Sequence, residues 1–352
     1  MLKELFQSLL RLLIALIVAL IVSSLFIIFM EENPLIAYRQ LFKGAFVGKA
    51  NFIRSLRWST PYIITGVAAA VSFRAGVFNI GIEGCVYIGG LSAALVGVYV
   101  TGLPGPLHVA LAVVVAMIIG GFWLVLPAFL RAFYNVNEVI TTWMFSYISV
   151  LLCQYLVTYH FYDPFEVSQA VQQVRTSYIA SSARLSQLIP PFQLNTAIFI
   201  ALGITILFYL FSQRTTLGYE LEMTGLSPDF AKYGGINIAK IRFYAIIISG
   251  AIGAVAGATE IMGVHYRYIH GFSTAIGVNG ILVALMGRLN PITVPLAAIF
   301  FGSLQNGARA MERTSNVSLD TVNIMVSIIV MSITAEGLYE LIRVKRKARK
   351  ED

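Results

Sequence analysis

Residues 12–30, LLIALIVALIVSSLFIIFM, run without one charged side chain. About 20 apolar residues carry a helix across a hydrocarbon core about 30 Å thick, so this stretch alone is long enough to span a bilayer. Similar runs recur down the chain, which therefore reads as a bundle of spans and not as a single anchor. Of the 352 residues, 58% are hydrophobic and only 12% charged. Soluble domains carry about 25% charged residues, so composition excludes a water-soluble fold. The first run is too long for a signal-peptide core and no A-x-A-like cleavage site follows it, so it is expected to be retained.

Apolar windows predict an all-α polytopic membrane protein of about ten transmembrane helices, some broken, with 1–352 forming one transmembrane domain. The expected spans are Leu12–Met30, Thr60–Val77, Gly84–Thr101, Leu107–Arg131, Glu138–Tyr159, Asn195–Ser212, Phe243–Gly263, Ala275–Arg288, Thr293–Met311 and Thr321–Leu341. Residues 32–59, 160–194 and 213–242 are the longer polar connections. Lys and Arg concentrate on the cytoplasmic side of membrane proteins. The basic tail at 343–352 carries six of them, from Arg343 to Lys350, and the 213–242 loop is basic too. Both termini and that loop are therefore expected in the cytoplasm, with 160–194 outside. Segment 32–59 runs against this, placing Arg39, Lys43, Lys49, Arg54 and Arg57 on the outer side. Because the basic residues cap spans instead of forming one face, the net charge of +8 does not indicate nucleic-acid binding. The two cysteines, Cys85 and Cys153, sit in apolar runs and read as small buried hydrophobes.

Small residues recur every four positions at Gly253–Gly257 and Gly250–Ala254, the spacing that lets helix backbones approach closely. Glycine-broken stretches at 76–84 and 271–280 lie beside spans, one in each half of the chain. Broken helices at membrane depth persist only where protein or a cavity surrounds them, and a break in each half hints at an internal duplication.

The most informative patch is FRAGVFNIGIEG, residues 73–84. A carboxylate among three glycines between apolar spans needs a partner or water. Asn79 and Glu83 are candidates for hydrogen bonds to a polar solute; alternatively, Glu83 caps a helix end or neutralises Arg74. A second patch, in the cytoplasmic loop, pairs an N-cap Ser227 with Pro228 at the first helical position, Asp229 at the positive end of the dipole and Gly234 or Gly235 as a stop. So short a helix is marginal alone in water and calls for a docking partner. Phe230 and Tyr233, three apart, share a face with Lys232 nearby, and they read either as an anchor in a partner's groove or as headgroup anchors. A third patch, GVNGILVALMGRLNP at 277–291, places Asn279 at the start of a short run ended by Arg288 and Asn290-Pro291, and reads as a re-entrant or short helix. Glu260, His265 and His270 sit near the outer end of the preceding span, where the histidines read as interfacial and not as metal ligands.

Gly44-Ala-Phe-Val-Gly48-Lys49-Ala50 is one residue short of a phosphate-binding loop and lacks its Ser or Thr, so this chain is not expected to bind ATP by that route. No nucleophile–base pattern or acidic cluster suggests an enzyme.

FRAGVFNIGIEG is similar to the signature of bacterial permeases of simple-sugar and nucleoside ABC importers, relatives of the branched-chain amino acid and ribose permeases. NEVITTWMFSYI (137–148), TGLSPDFAKYGGIN (224–237) and GVNGILVALMGRLNP (277–291) agree in order, over roughly residues 35–340. The resemblance implies a type-II-like ten-span permease of the cell (inner) membrane, working with a second permease subunit, commonly as a heterodimer. It also implies an ABC ATPase subunit, binding ATP and Mg, below, and an extracytoplasmic substrate-binding protein or lipoprotein above. In such a permease the residues singled out above, Asn79, Glu83, Asn279 and Glu260, are the candidates to border the solute path, and Ser227–Gly235 is the candidate to couple to the ATPase. The implied solute is a purine nucleoside, with ribose-like sugars and riboflavin as alternatives carried by related permeases. A stand-alone facilitator or channel is the alternative of another class, and it leaves the capped helix without a task. Two departures stand out. Cys85 replaces the usual Gln and is expected to change a polar group near the path. Glu222-Met223-Thr224 replaces a usual Arg-Ala-Val run and is expected to alter the charge of the ATPase-facing surface.

Overall fold

The structure, a computed structural model, describes residues 21–25, 27–29, 33–163, 175–314, 324 and 326–328. The expected spans Leu12–Met30 and Thr321–Leu341 fall largely outside these residues, and the basic tail wholly so. Helices dominate: α1 (Pro34–Phe46), α2 (Lys49–Arg74), α3 (Ile82–Tyr99), α4 (Gly105–Trp123), α5 (Val125–Tyr134), α6 (Glu138–Tyr159), α7 (Ala197–Arg214), α8 (Thr216–Leu226), α9 (Pro228–Tyr233), α10 (Ile238–Glu260), α11 (Ile276–Met286) and α12 (Thr293–Thr314). Among the described residues, five stretches are long and apolar enough to cross a bilayer: Ile82–Tyr99, Gly105–Tyr134, Glu138–Tyr159, Ala197–Arg214 and Ile238–His265.

Helix starts follow local chemistry. Asn137 opens α6 by accepting from the Val139 N–H, and Asn237 opens α10 by accepting from the Lys240 N–H. Each cap satisfies one of the donors that a first turn leaves orphaned.

The described residues divide into two compact units, one within 59–299 and a smaller one formed by those within 1–58 and 300–352. At the heart of the larger unit lies α10, packed on α3 and α4 through its small residues. A Cβ on Gly257 would collide with the Val86 carbonyl oxygen of α3, and one on Gly250 would sit 2.8 Å from the Gly120 carbonyl oxygen of α4. With no water to expel, helices in lipid associate through such close packing. Past Glu260 the helix widens into a π-type turn, Ile261–His265, and closes on Tyr266 in the left-handed region. The segment from 175 to 195 is strapped over this end. Its Ile179, Ala180 and Leu185 N–H groups donate to the carbonyls of Tyr266, Gly97 and Met262.

In the smaller unit, the Asn306 amide donates to the carbonyls of Gly44 (2.8 Å) and Asn51 (3.1 Å). The guanidiniums of Arg57 and Arg309 lie over the Trp58 ring at 4.0 and 3.8 Å.

Two expectations are corrected. The stretch expected as a polar connection at 32–59 is helical over most of its described length, forming α1 and the first part of α2. Interspersed Arg and Lys hide an amphipathic pattern there, whose Ala37, Leu41, Gly44 and Ala45 are buried. Arg57, counted as an outer loop charge, is a buried helical side chain. Of the two readings of Ala275–Arg288, the short helix stands and the full span does not: α11 has 11 residues, about 16 Å of rise against a core about 30 Å thick.

Candidate functional site

Arg74 ends α2, and Gly76, at φ +71°, turns the chain into a non-helical stretch running to Gly81. A left-handed residue here favours glycine, which has no Cβ to clash. Backbone polar groups released inside a membrane protein need partners, and α6 supplies them in a ladder. Glu138 accepts from the Phe78 N–H (3.4 Å) and Thr142 from the Ile80 N–H (3.1 Å). Ser146 accepts from the Gly84 N–H (3.2 Å) and donates to the Ile80 carbonyl (3.3 Å). These three side chains stand four residues apart, hence on one helix face. Glu138 is held in turn by Arg131 at 3.1 Å.

Asn79 is fully buried. Its amide oxygen accepts from the Gly81 N–H (2.8 Å) and its nitrogen donates to Ser249 Oγ of α10 (3.0 Å), so both ends brace the broken stretch. Glu83, one turn on, reaches across to the start of α11. Oε1 accepts from Ser273 Oγ and Oε2 from the Gly277 N–H, both at 2.6 Å. Ser273 also accepts from the Ile276 N–H, and Tyr87 donates to the Ser273 carbonyl. Glu83 thus caps the start of α11, its carboxylate at the positive end of that helix's dipole. Arg74 pairs instead with Glu222, at 2.6 Å.

Beside this cap opens a cavity of about 200 Å³, lined by Glu83, Tyr87, Trp143, Ser146 and Tyr147 together with Ile80, Val150 and Val278. Trp143 and Tyr147, one turn apart on α6, present rings 6.0 Å apart and are each about half exposed. Aromatic faces, a carboxylate and a hydroxyl around one opening suit a ring-bearing polar solute. Of the four path candidates only Glu83 lines it. Asn279 lies one residue beyond Val278 and is partly buried, while Glu260 is buried at the end of α10 and engaged elsewhere. Sequence reasoning passed over Trp143, Ser146 and Tyr147. The signal was present in the polar stripe Glu138/Thr142/Ser146 beside an aromatic one, inside a segment otherwise apolar.

The Cys85 thiol is fully buried and faces the Gly120 carbonyl at 3.7 Å, away from the cavity. The Glu222 side chain, partly exposed, pairs with Arg74, and Thr224 is buried. The capped helix is present as α9. Ser227 accepts from the Phe230 N–H, Pro228 stands at its start with Asp229 in the first turn, and Gly235 at φ +81° ends it after Lys232 and Tyr233. Phe230 is 61% and Tyr233 95% exposed. Ahead of it, α8 was not anticipated.

A bundle with five helices long and apolar enough to cross a bilayer fits a multi-pass membrane protein. The chain belongs to the family described as branched-chain amino acid transport system / permease component, which matches residues 51–334. It is a permease subunit of an ABC transporter, resident in the cell membrane. Over 314 residues it is 32% identical to the guanosine ABC transporter permease protein NupP of Bacillus subtilis, covering 89% of each chain. It is 28% identical to the nucleoside ABC transporter permease protein NupB of Lactococcus lactis, covering 90% of this chain and 88% of that one. It is 26% identical to the glucose ABC transporter permease protein TsgB13 of Haloferax volcanii, covering 92% and 86%. The same two bacteria each hold a second match of the same description, spanning 70% and 72% of this chain. No solved structure matches it.

Proposed function

We propose that this permease carries a purine nucleoside inward through the cavity between α3, α6 and α11, driven by ATP hydrolysis in a partner ATPase. The observation that carries the reading is the cavity itself, where the Trp143 and Tyr147 rings stand beside the Glu83 carboxylate. A nucleobase stacks on such rings, and base N–H or ribose hydroxyl groups donate to such a carboxylate. Relatives described as guanosine and nucleoside permeases support the same solute class. In this reading the fold is type-II-like, with about ten spans and both termini cytoplasmic. α9 docks on the ATPase, a second, shorter permease completes a heterodimer, and an extracytoplasmic binding protein or lipoprotein delivers the solute. Matches to two permeases from each of two bacteria support the pairing.

Whole cells lacking this chain provide the test. Uptake of labelled guanosine at low concentration is expected to disappear and to return on complementation. In complemented cells excess unlabelled inosine competes, whereas ribose and riboflavin do not. Competition by ribose or riboflavin without competition by inosine contradicts the nucleoside assignment.

A further inference from the structure

The segment carrying α8 and α9 touches the broken stretch at one tight junction. Glu222, on α8, forms its 2.6 Å ion pair with the last residue of α2, Arg74. One turn later Gly225 lies directly against that residue: a Cβ there would collide with the Arg74 carbonyl oxygen and sit 3.0 Å from the Gly76 nitrogen. From the other side, a Cβ on Gly76 would sit 3.3 Å from the Gly225 Cα. Two glycines thus bring backbone onto backbone at the point where α2 gives way to the non-helical stretch. The Arg74 guanidinium also lies 5.9 Å from the Phe208 ring of α7, so α2, α7 and α8 meet at this side chain. An adjoining cavity of about 360 Å³, lined by Arg74, Glu222, Gly225 and Arg288, leaves the pair room to move. Beyond the junction every step is bonded. The stretch is held by Asn79 to α10 and by the α6 ladder, and it leads into Glu83, which grips the start of α11 at the cavity.

We propose that the Arg74–Glu222 ion pair and the Gly225–Gly76 backbone contact form the relay through which movement of the α8–α9 segment reaches the solute cavity. The inference rests on the reading of α9 as the ATPase dock. Packed contacts of this kind are bistable more than elastic, so a shift at one end is passed on as displacement of the rigid pieces it joins. A charge pair at the junction sets which arrangement is preferred, and coupling free energies between sites commonly correspond to factors of about 5 to 150. Arg74 and Glu222 are positioning residues in this account, since neither needs to touch solute or nucleotide.

The test uses the assembled transporter, with both permeases, the ATPase and the binding protein, in lipid nanodiscs. Arg74→Glu and the milder Glu222→Gln are expected to keep the ATPase in unchanged ratio and basal hydrolysis within about twofold of wild type. Stimulation of hydrolysis by solute-loaded binding protein falls about tenfold or more. The swapped double variant Arg74→Glu/Glu222→Arg restores it. Wild-type stimulation in both single variants overturns the relay, as does failure of the swap to restore it. Loss that tracks the yield of assembled complex also overturns it, because the pair then only holds the fold. Phe230→Ala/Tyr233→Ala separates the underlying reading: its retention of the ATPase defeats the docking assignment, whatever the Arg74 variants do.

Discussion

Glu83 is a carboxylate inside a span, and such a group persists only where donors surround it. Here Ser273 Oγ–H and the Gly277 N–H take one oxygen each, while the same side chain forms part of the cavity wall. Glu83→Gln keeps size and shape but turns an NH2 toward one of those two donors. Leaving a buried donor unsatisfied costs about 1–3 kcal/mol. The loss is expected at the α11 start and in solute binding together, so guanosine uptake falls about tenfold or more while ATPase co-purification stays intact. Normal uptake by Glu83→Gln places the solute route elsewhere. Asn79 shows why residue type alone could not rank the candidates. Asn and Glu in one glycine-rich patch look equally suited to bind a solute, yet Asn79 has both amide ends engaged in the chain and no exposed surface. Only the packing of α10 against the stretch separates the two roles.

At the scale of elements, α9 makes a clean case. Six residues cannot persist as an isolated helix, so its caps and neighbours hold it, and its Phe230–Tyr233 face is left open. Anchors of this kind concentrate binding energy, each contributing about 2 kcal/mol or more when it fills a pocket. Phe230→Ala/Tyr233→Ala is expected to reduce ATPase co-purification at least tenfold without lowering membrane levels of the permease. Co-purification at the wild-type ratio identifies the rings as headgroup anchors instead. This element was legible from local chemistry because Ser, Pro and Gly each act within one turn. The apolar spans were legible too: the expected Glu138–Tyr159 coincides with α6, and Gly84–Thr101 lies within two residues of α3 at either end. What stayed hidden depends on partners distant in sequence. The α6 ladder lies about 60 residues from the backbone groups it satisfies, and Glu222 is 148 residues from Arg74. Helices α1 and the start of α2 were missed for a different reason, since their Lys and Arg broke the apolar window used to find spans.

This chain belongs to a permease family, and the proposed uptake of a ring-bearing solute against its gradient would need work supplied by a partner. The most direct measurement is labelled guanosine uptake into proteoliposomes holding this permease, the second permease and the ATPase, with binding protein added on the binding-protein side and ATP on the ATPase side. Accumulation above the external concentration is expected with ATP, and no transport is expected with ADP or without the ATPase. Equilibration of guanosine across the vesicles without ATP, by this chain alone, would mark a facilitator and contradict the account.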